Sequence, residues 1–240
     1  MTCPHCPQQL IINNKFDYKA MEYYNVDNLR KEYEETYKYL SPLWKKYAQR
    51  GYDIIDKVQK EGLLLVGINP SFDESFEGPC ASIVRESENG GYLHPYFVKP
   101  RRLNDKIGIS SLSHIDMFSI RTRHQKVVRN IINDDASQQF VEKQLTLFHR
   151  IINGTSPRAI VVINGLASII IKNALGNLKR DEDMGVDMYR IGEKQVPVFF
   201  SGMLSGGHPI DNGSYERLVW HIKYVLNMLS EKSSQIRING

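Results

Sequence analysis

Cysteine is scarce in this chain: three in 240 residues, Cys3, Cys6 and Cys80. An odd, small count offers no disulfide framework and fits a reducing compartment. Cys3-Pro-His-Cys6 would make half a metal site, but a closed zinc site takes about four ligands. Only Cys80 and scattered histidines remain to complete one, so no metal or other cofactor is expected. Long apolar runs are also missing, and nothing approaches the roughly 20 residues that a bilayer span needs. The start, Met1-Thr-Cys-Pro-His-Cys6, has neither the charged opening nor the apolar stretch of a signal peptide. The expectation is a cytoplasmic protein with no membrane partner. Nucleotide fingerprints are absent too: no Gly-x-Gly-x-x-Gly follows a strand, and there is no phosphate loop of the Gly-x-x-x-x-Gly-Lys-Ser/Thr type. Ser201–Ser205 lacks the nucleophile-elbow pattern. Dinucleotide oxidoreductases, P-loop nucleotidases and triad hydrolases lose their main support.

What remains is ordinary globular composition, 41% hydrophobic and 24% charged, in a length that supports one sizeable core. Residues 1–16 read as a loosely structured tail. Residues 17–240 read as a single α/β domain, with an N-terminal helical extension over 17–60 and a core over 61–230; a monomer is expected. Leu29, Tyr33, Tyr37 and Leu40 recur at helical spacing before Pro42 interrupts, giving two helices between Asp17 and Gly51.

Four apolar runs follow, each ending in turn-forming or polar residues. Leu63–Ile68 stops at Asn69-Pro70, where proline withdraws the N–H that a ladder needs. Ser113–Phe118 leads into Ser119 and Arg121-Thr-Arg-His-Gln-Lys126. Ala159–Ile163 ends in Asn164-Gly165, and Val196–Phe200 ends in the loop Ser201–Pro209. Helical stripes alternate with them: Val141, Leu145, Phe148 and Ile152; then Leu218, Ile222, Val225 and Leu229. A short helix over Ala167–Leu175 ends at Gly176, and Asn212 or Ser214 could cap the last helix. Strands alternating with helices imply a parallel sheet covered on both faces, with all strand ends on one edge. Asn69, the segment after Phe118, Asn164 and the Ser201–Pro209 loop converge there, where open α/β sheets bind their ligands.

Charge is unevenly spread. Lys99, Arg101, Arg102, Lys106, Arg121, Arg123, Lys126 and Arg129 face only Asp105 and Asp116 in their window, a net +6, which leaves −2 for the rest of a +4 chain. A concentrated basic segment on a near-neutral body suits a polyanion; a solvated loop-and-helix face would show the same pattern.

The run Gly67-Ile-Asn-Pro-Ser71 resembles the first active-site motif of the uracil-DNA glycosylase superfamily. Mismatch-directed uracil/thymine glycosylases carry Gly-Ile-Asn-Pro-Gly there, so four of five positions match. The resemblance extends from Leu63 to Leu229. It implies a three-layer α/β/α fold with a short, mainly parallel four-stranded sheet. The family's second motif, commonly His-Pro-Ser-Pro-Leu-Ser or Asn-Pro-Ser-Gly-Leu-Ser, corresponds to a departed sequence with two registers: Gly202-Met-Leu-Ser205 in its place, or His208-Pro209 displaced by a longer loop. Iron–sulfur branches of the superfamily use four cysteines, and a fourth is lacking here.

The resemblance implies that Asn69 orients the attacking water through its amide oxygen, and that His208 donates to the departing base. Gly67, Ile68, Pro70 and Ser71 would line the base site. Phe72 would stack on an extruded base, or simply pack. Many family members read the base with an asparagine on the second strand; here Asp116 offers a carboxylate that only accepts hydrogen bonds. Asn164 would touch the ligand or merely start its turn. Ser205 and Gly206 would bring backbone N–H groups to a phosphate, and Arg121, Arg123 and Lys126 would hold the DNA backbone. The function implied is hydrolysis of the N-glycosidic bond of a flipped, damaged or mismatched, uracil-type base in DNA, single-stranded or mismatched. Two alternatives are a non-catalytic nucleic-acid-binding module of the same fold and a small-molecule nucleoside or nucleotide enzyme.

Overall fold

The structure, a computed structural model, describes residues 26–54, 58–72, 81–82, 95–174 and 178–238. In chain order the elements are α1 (Val26–Thr36), α2 (Lys45–Ala48), β1 (Asp53–Ile54), β2 (Leu63–Gly67), β3 (Ala81–Ser82), α3 (Val98–Ile107), β4 (Leu112–Asp116), α4 (Gln125–Ile132), α5 (Gln138–Thr155), β5 (Ala159–Val162), α6 (Gly165–Ala174), β6 (Leu178–Asp181), β7 (Val186–Ile191), β8 (Lys194–Phe200) and α7 (Asn212–Ile238). The main sheet has six strands in the order β4-β2-β5-β8-β7-β6, and β1 and β3 form a separate parallel pair. β4, β2, β5 and β8 are parallel; β7 and β6 turn back antiparallel.

Six strands replace the four that the apolar runs suggest. The two additional ones, β6 and β7, escape notice because they are amphipathic or polar. Lys179 and Arg180 on β6 are exposed, as suits an edge strand that must resist pairing with other chains. β7 and β8 join through Gly192-Glu193, with Gly192 at φ 58°, a two-residue hairpin turn that needs a positive φ. Pro197 sits inside β8, yet pairing with β5 begins only at Ile160↔Val198, just beyond it.

The period-two alternation of the central strands sorts their side chains onto two faces. Leu64, Val66, Ile160 and Val162 face a core completed by Leu29, Tyr33 and Leu40, by Val128 and Ile131, by Phe140, Val141, Leu145, Phe148 and Ile152, and by Ile170 and Ile171. Leu63, Leu65, Ala159, Val161 and Phe199 face the other, closed by Leu103 of α3 and Leu218, Ile222 and Val225 of α7. Helices thus cover both faces of an α/β sheet. α7 is capped by neither Asn212 nor Ser214: Oδ1 of Asp211 accepts the Ser214 N–H at 2.9 Å, and the hydroxyl of Ser214 donates to Oδ2 at 2.6 Å. These bonds hold the Asp211 carboxyl below the usual carboxylate range. Leu175, Gly176 and Asn177 lie outside the described residues.

Topology locates the crevice. The chain leaves β2 for β4 by way of α3 on one face, then returns past β2 to β5 by way of α4 and α5 on the other. Neighbouring strands whose connections depart to opposite faces open a crevice beyond their carboxyl ends. Here that point lies between the ends of β2 and β5, at Asn69 and Asn164.

His149 of α5 is 7% exposed, and burial pushes its pKa down to about 4. The unfolded chain then binds a proton that the folded one refuses, so stability is full above pH about 6.5 and declines as pH falls toward about 4. A loss of roughly 3 kcal/mol is expected over that window. Urea unfolding at pH 7 and pH 4.5 checks this. His149→Leu should lose clearly less on acidification than the wild type, and equal losses would assign the acid sensitivity elsewhere.

Candidate functional site

Register fixes which residues meet at the carboxyl edge. Gly67 lies opposite Asp116, Val66 opposite Val162, and Val162 opposite Phe200. Beyond the strands the ladder continues irregularly: Met117 donates to the Gly67 carbonyl at 3.2 Å, Phe118 to Ile68 at 3.0 Å, and Ile163 to Val66 at 2.9 Å. Ser201 donates to Val162 at 2.8 Å. The segments after β2, β4, β5 and β8 therefore leave the sheet side by side.

Asn69 ties two of them together. Its Nδ2 donates to the carbonyls of Pro70 at 2.8 Å, Ile120 at 3.3 Å and Thr122 at 2.7 Å. The Thr122 N–H returns a bond to the Pro70 carbonyl at 3.0 Å. Three carbonyls around one atom identify it as the amide nitrogen, since only the N–H₂ end can donate. Oδ1 of Asn69 accepts no hydrogen bond from the described residues, and the residue is half-buried. Asn69 is thus a clip whose oxygen those residues leave unengaged.

Asp116 pairs with Gly67, two residues before Asn69. A Cβ on residue 67 would collide with Asp116 Oδ1 and lie 3.1 Å from His114 Nε2, so only glycine leaves room for this carboxylate. Nε2 of His114 is 3.8 Å from Oδ1, with the side chains 7% and 10% exposed. Tyr96 and Phe97, just before α3, meet the imidazole edge-on at 6.0 and 5.7 Å. His114 did not stand out in the sequence. The signal was its position two residues before Asp116, which puts both on one strand face.

Several sequence assignments change. Arg121 is 1% exposed; its Nη1 donates to the Arg50 carbonyl at 3.0 Å, so it is a structural residue and not a DNA contact. Phe72 is 8% exposed and lies under the guanidinium of Arg50 at 4.3 Å, with that of Arg121 at 5.3 Å; its ring is packed, not offered to a base. Asn164 caps α6, with Oδ1 accepting from Leu166 N at 2.9 Å and Ala167 N at 3.1 Å. Ile68 belongs to the core and Pro70 is buried with its carbonyl engaged, so both shape the turn without facing a ligand. Ser71 is exposed.

Arg123 and Lys126 are exposed at the start of α4, and Arg123 Nε donates to the Phe72 carbonyl at 2.7 Å. His208 is exposed on the loop after β8. That loop is closed by Ile210 N donating to Met203 O at 2.8 Å and anchored by Leu204, 1% exposed. Gly206 takes φ 104°, and Ser205 is half-buried beside it. Leu204 is the buried anchor within Gly202–Ser205, while His208-Pro209 faces solvent. Cys3, Cys6 and Cys80 lie outside the described residues, among which no cluster of three metal-ligating side chains occurs.

The clip makes residue 69 intolerant in a specific order. Asn69→Ala removes the donor to three carbonyls and is expected to cost about 2 kcal/mol, a few degrees in Tm for a domain of this size. Asn69→Asp sets a carboxylate oxygen against the same carbonyls and should cost more at pH 7, with partial recovery in acid when the group can donate. Thermal melts at pH 7 and pH 4 read both; an aspartate variant as stable as wild type at pH 7 would refute the clip. No protein-family model matches the sequence, and none of the curated proteins compared with it matches, so residues and geometry alone bear on its function.

Proposed function

We propose that this chain is a DNA glycosylase of the uracil-DNA glycosylase type, cleaving the N-glycosidic bond of a flipped, damaged or mismatched base. The observation that carries the reading is the Gly67–Ser71 turn at the sheet's switch point, where three hydrogen bonds hold Asn69 Nδ2 and leave Oδ1 unengaged among the described residues. Bond cleavage develops oxocarbenium character on the sugar and negative charge on the base. Fixed dipoles that meet those charges, and a positioned water, are what the protein must supply. An amide oxygen is a poor base, so Asn69 orients water without taking its proton. On this reading His208, exposed on the loop that leaves β8 at the same edge, donates toward the departing base.

DNA contact falls to the exposed cations. Arg123 and Lys126 border the start of α4, and Arg101 and Arg102 lie on α3. Lys106 is engaged by Glu216. Each of these helices begins at the carboxyl edge, adding partial positive charge near it. The altered second motif, together with an Asn69 that already serves the fold, favours a second reading: a binding module of this fold without turnover.

Oligonucleotides carrying uracil, hypoxanthine, xanthine, oxidised guanine or a mismatched thymine, assayed for abasic sites, test the activity. Cleavage of none of them would leave the binding module in front. Affinity for DNA should fall with salt at a log–log slope of several units if about five phosphates are contacted. Arg123→Ala with Lys126→Ala should lower that slope by about two. Arg121→Ala should instead lower Tm. An unchanged slope in the double variant would remove α4 from the interface.

A further inference from the structure

Asp116 carries a consequence for which base is bound. Its side chain is nine-tenths buried, directly across from Gly67 at the open end of the sheet. Among the described residues no hydrogen bond reaches its carboxylate; His114 Nε2 stands 3.8 Å from Oδ1. Neither of its oxygens is among the enclosed side-chain atoms that lack a partner, so the mostly buried carboxylate keeps an opening to a ligand, and it is kept by a glycine whose replacement would evict it. The fold reserves space for an acceptor that it does not itself use.

We propose that Asp116 selects a base presenting two adjacent N–H donors, the ring N–H and neighbouring exocyclic amine of a 2-amino-6-oxopurine. Guanine, or a guanine altered on its imidazole ring, is that base. The inference rests on the reading of this edge as a base site. A carboxylate has acceptor positions only and pairs best in a two-pronged way. Uracil and thymine offer one N–H flanked by two carbonyls, so the second carboxylate oxygen meets a lone pair. Adenine and cytosine offer an amine beside an unprotonated ring nitrogen, with the same conflict. The guanine edge alone among the standard bases answers both oxygens. Asparagine at this position would pair one donor with one acceptor, the pattern suited to uracil; aspartate inverts that choice.

Calorimetric titration of the full chain with the monophosphates of guanosine, inosine and uridine tests this, alongside oligonucleotides bearing oxidised guanine or uracil. Inosine lacks only the exocyclic amine. Guanosine monophosphate should bind at least about tenfold tighter than either competitor, as loss of a charge-assisted hydrogen bond implies. Asp116→Asn, nearly isosteric, should abolish the preference over inosine and move the order toward uridine. Selectivity seen with the mononucleotides but not with oligonucleotides would identify the source as a free nucleotide; selectivity in the oligonucleotides identifies it as DNA. Uridine or inosine binding as tight as guanosine in the wild type would overturn the proposal without need of any variant, as would an unchanged order in Asp116→Asn or no base-dependent binding in either series. Guanine-selective binding without abasic-site formation would retain this inference and remove the glycosylase activity, so the two failures are distinct.

Discussion

The hydrogen-bonded junction between the ends of β2 and β4 holds the carboxyl edge together. Beyond Asp116 the segment after β4 keeps to the end of β2 through Met117 N to Gly67 O, Phe118 N to Ile68 O and Thr122 N to Pro70 O. Asn69 Nδ2 adds a side-chain tie to Ile120 and Thr122, and buried side chains brace the same segment from behind. Ser119 N donates to Oε1 of the fully buried Gln144 at 2.8 Å, whose Nε2 donates to Thr36 Oγ1 at 2.7 Å. Tyr37 shares a hydrogen bond with Ser119 at 3.1 Å, and burial drives its phenol pKa upward. The N-terminal helices, α5 and the crevice wall thereby form one polar seam inside an apolar core. Such a seam is costly when half satisfied and rigid when complete.

Burial re-sorts the basic segment. Arg121 and Arg123 are two residues apart, and one is a core residue while the other meets solvent. The guanidiniums of Arg50 and Arg121 converge on the Phe72 ring, so aromatic and cation stabilise the turn together rather than recruiting a ligand. The usable positive charge is smaller than the sequence total suggests, and it is concentrated on α3 and the start of α4.

β2, β5 and β8 were legible because each is a mainly apolar run stopped by turn-forming or polar residues, a pattern that both faces of a covered sheet enforce; β4, Leu112–Asp116, carries Ser113, His114 and Asp116 and gives a weaker signal. The β6–β7 hairpin was not, since an edge strand with Lys179 and Arg180 outward has no apolar run to detect. Asn69 was legible as the residue that ends β2, but its threefold donation depends on where the chain returns 51 and 53 residues later. Local sequence cannot contain that information. The same holds for Asp116, whose burial depends on the missing side chain of Gly67 in the adjacent strand. Phe72 and Asn164 were legible as alternatives, and in each case packing or capping prevailed because a partner group was close enough to claim the side chain.

On the proposed reading, recognition and bond cleavage place opposite demands on this edge. A carboxylate that accepts from the base's N–H edge opposes the negative charge that the base gains as it leaves. Asn69 contributes a second acceptor, useful to a water and of no help to that charge. On the proposed reading, stabilisation must then come from donors on the far side of the base. The loop after β8 is the segment whose geometry suits this: Leu204 anchors one limb in the core, the Ile210–Met203 bond closes it, and Gly206 turns the backbone where a side chain would be strained. His208 and the N–H groups of Ser205 to Gly207 lie on the stretch between. Selection would thus belong to β2 and β4, which the core holds rigid, and charge stabilisation to a loop pinned at its base. Protonation of a purine ring nitrogen by such a donor would let the base depart neutral, removing the conflict with Asp116 that an anionic departure creates.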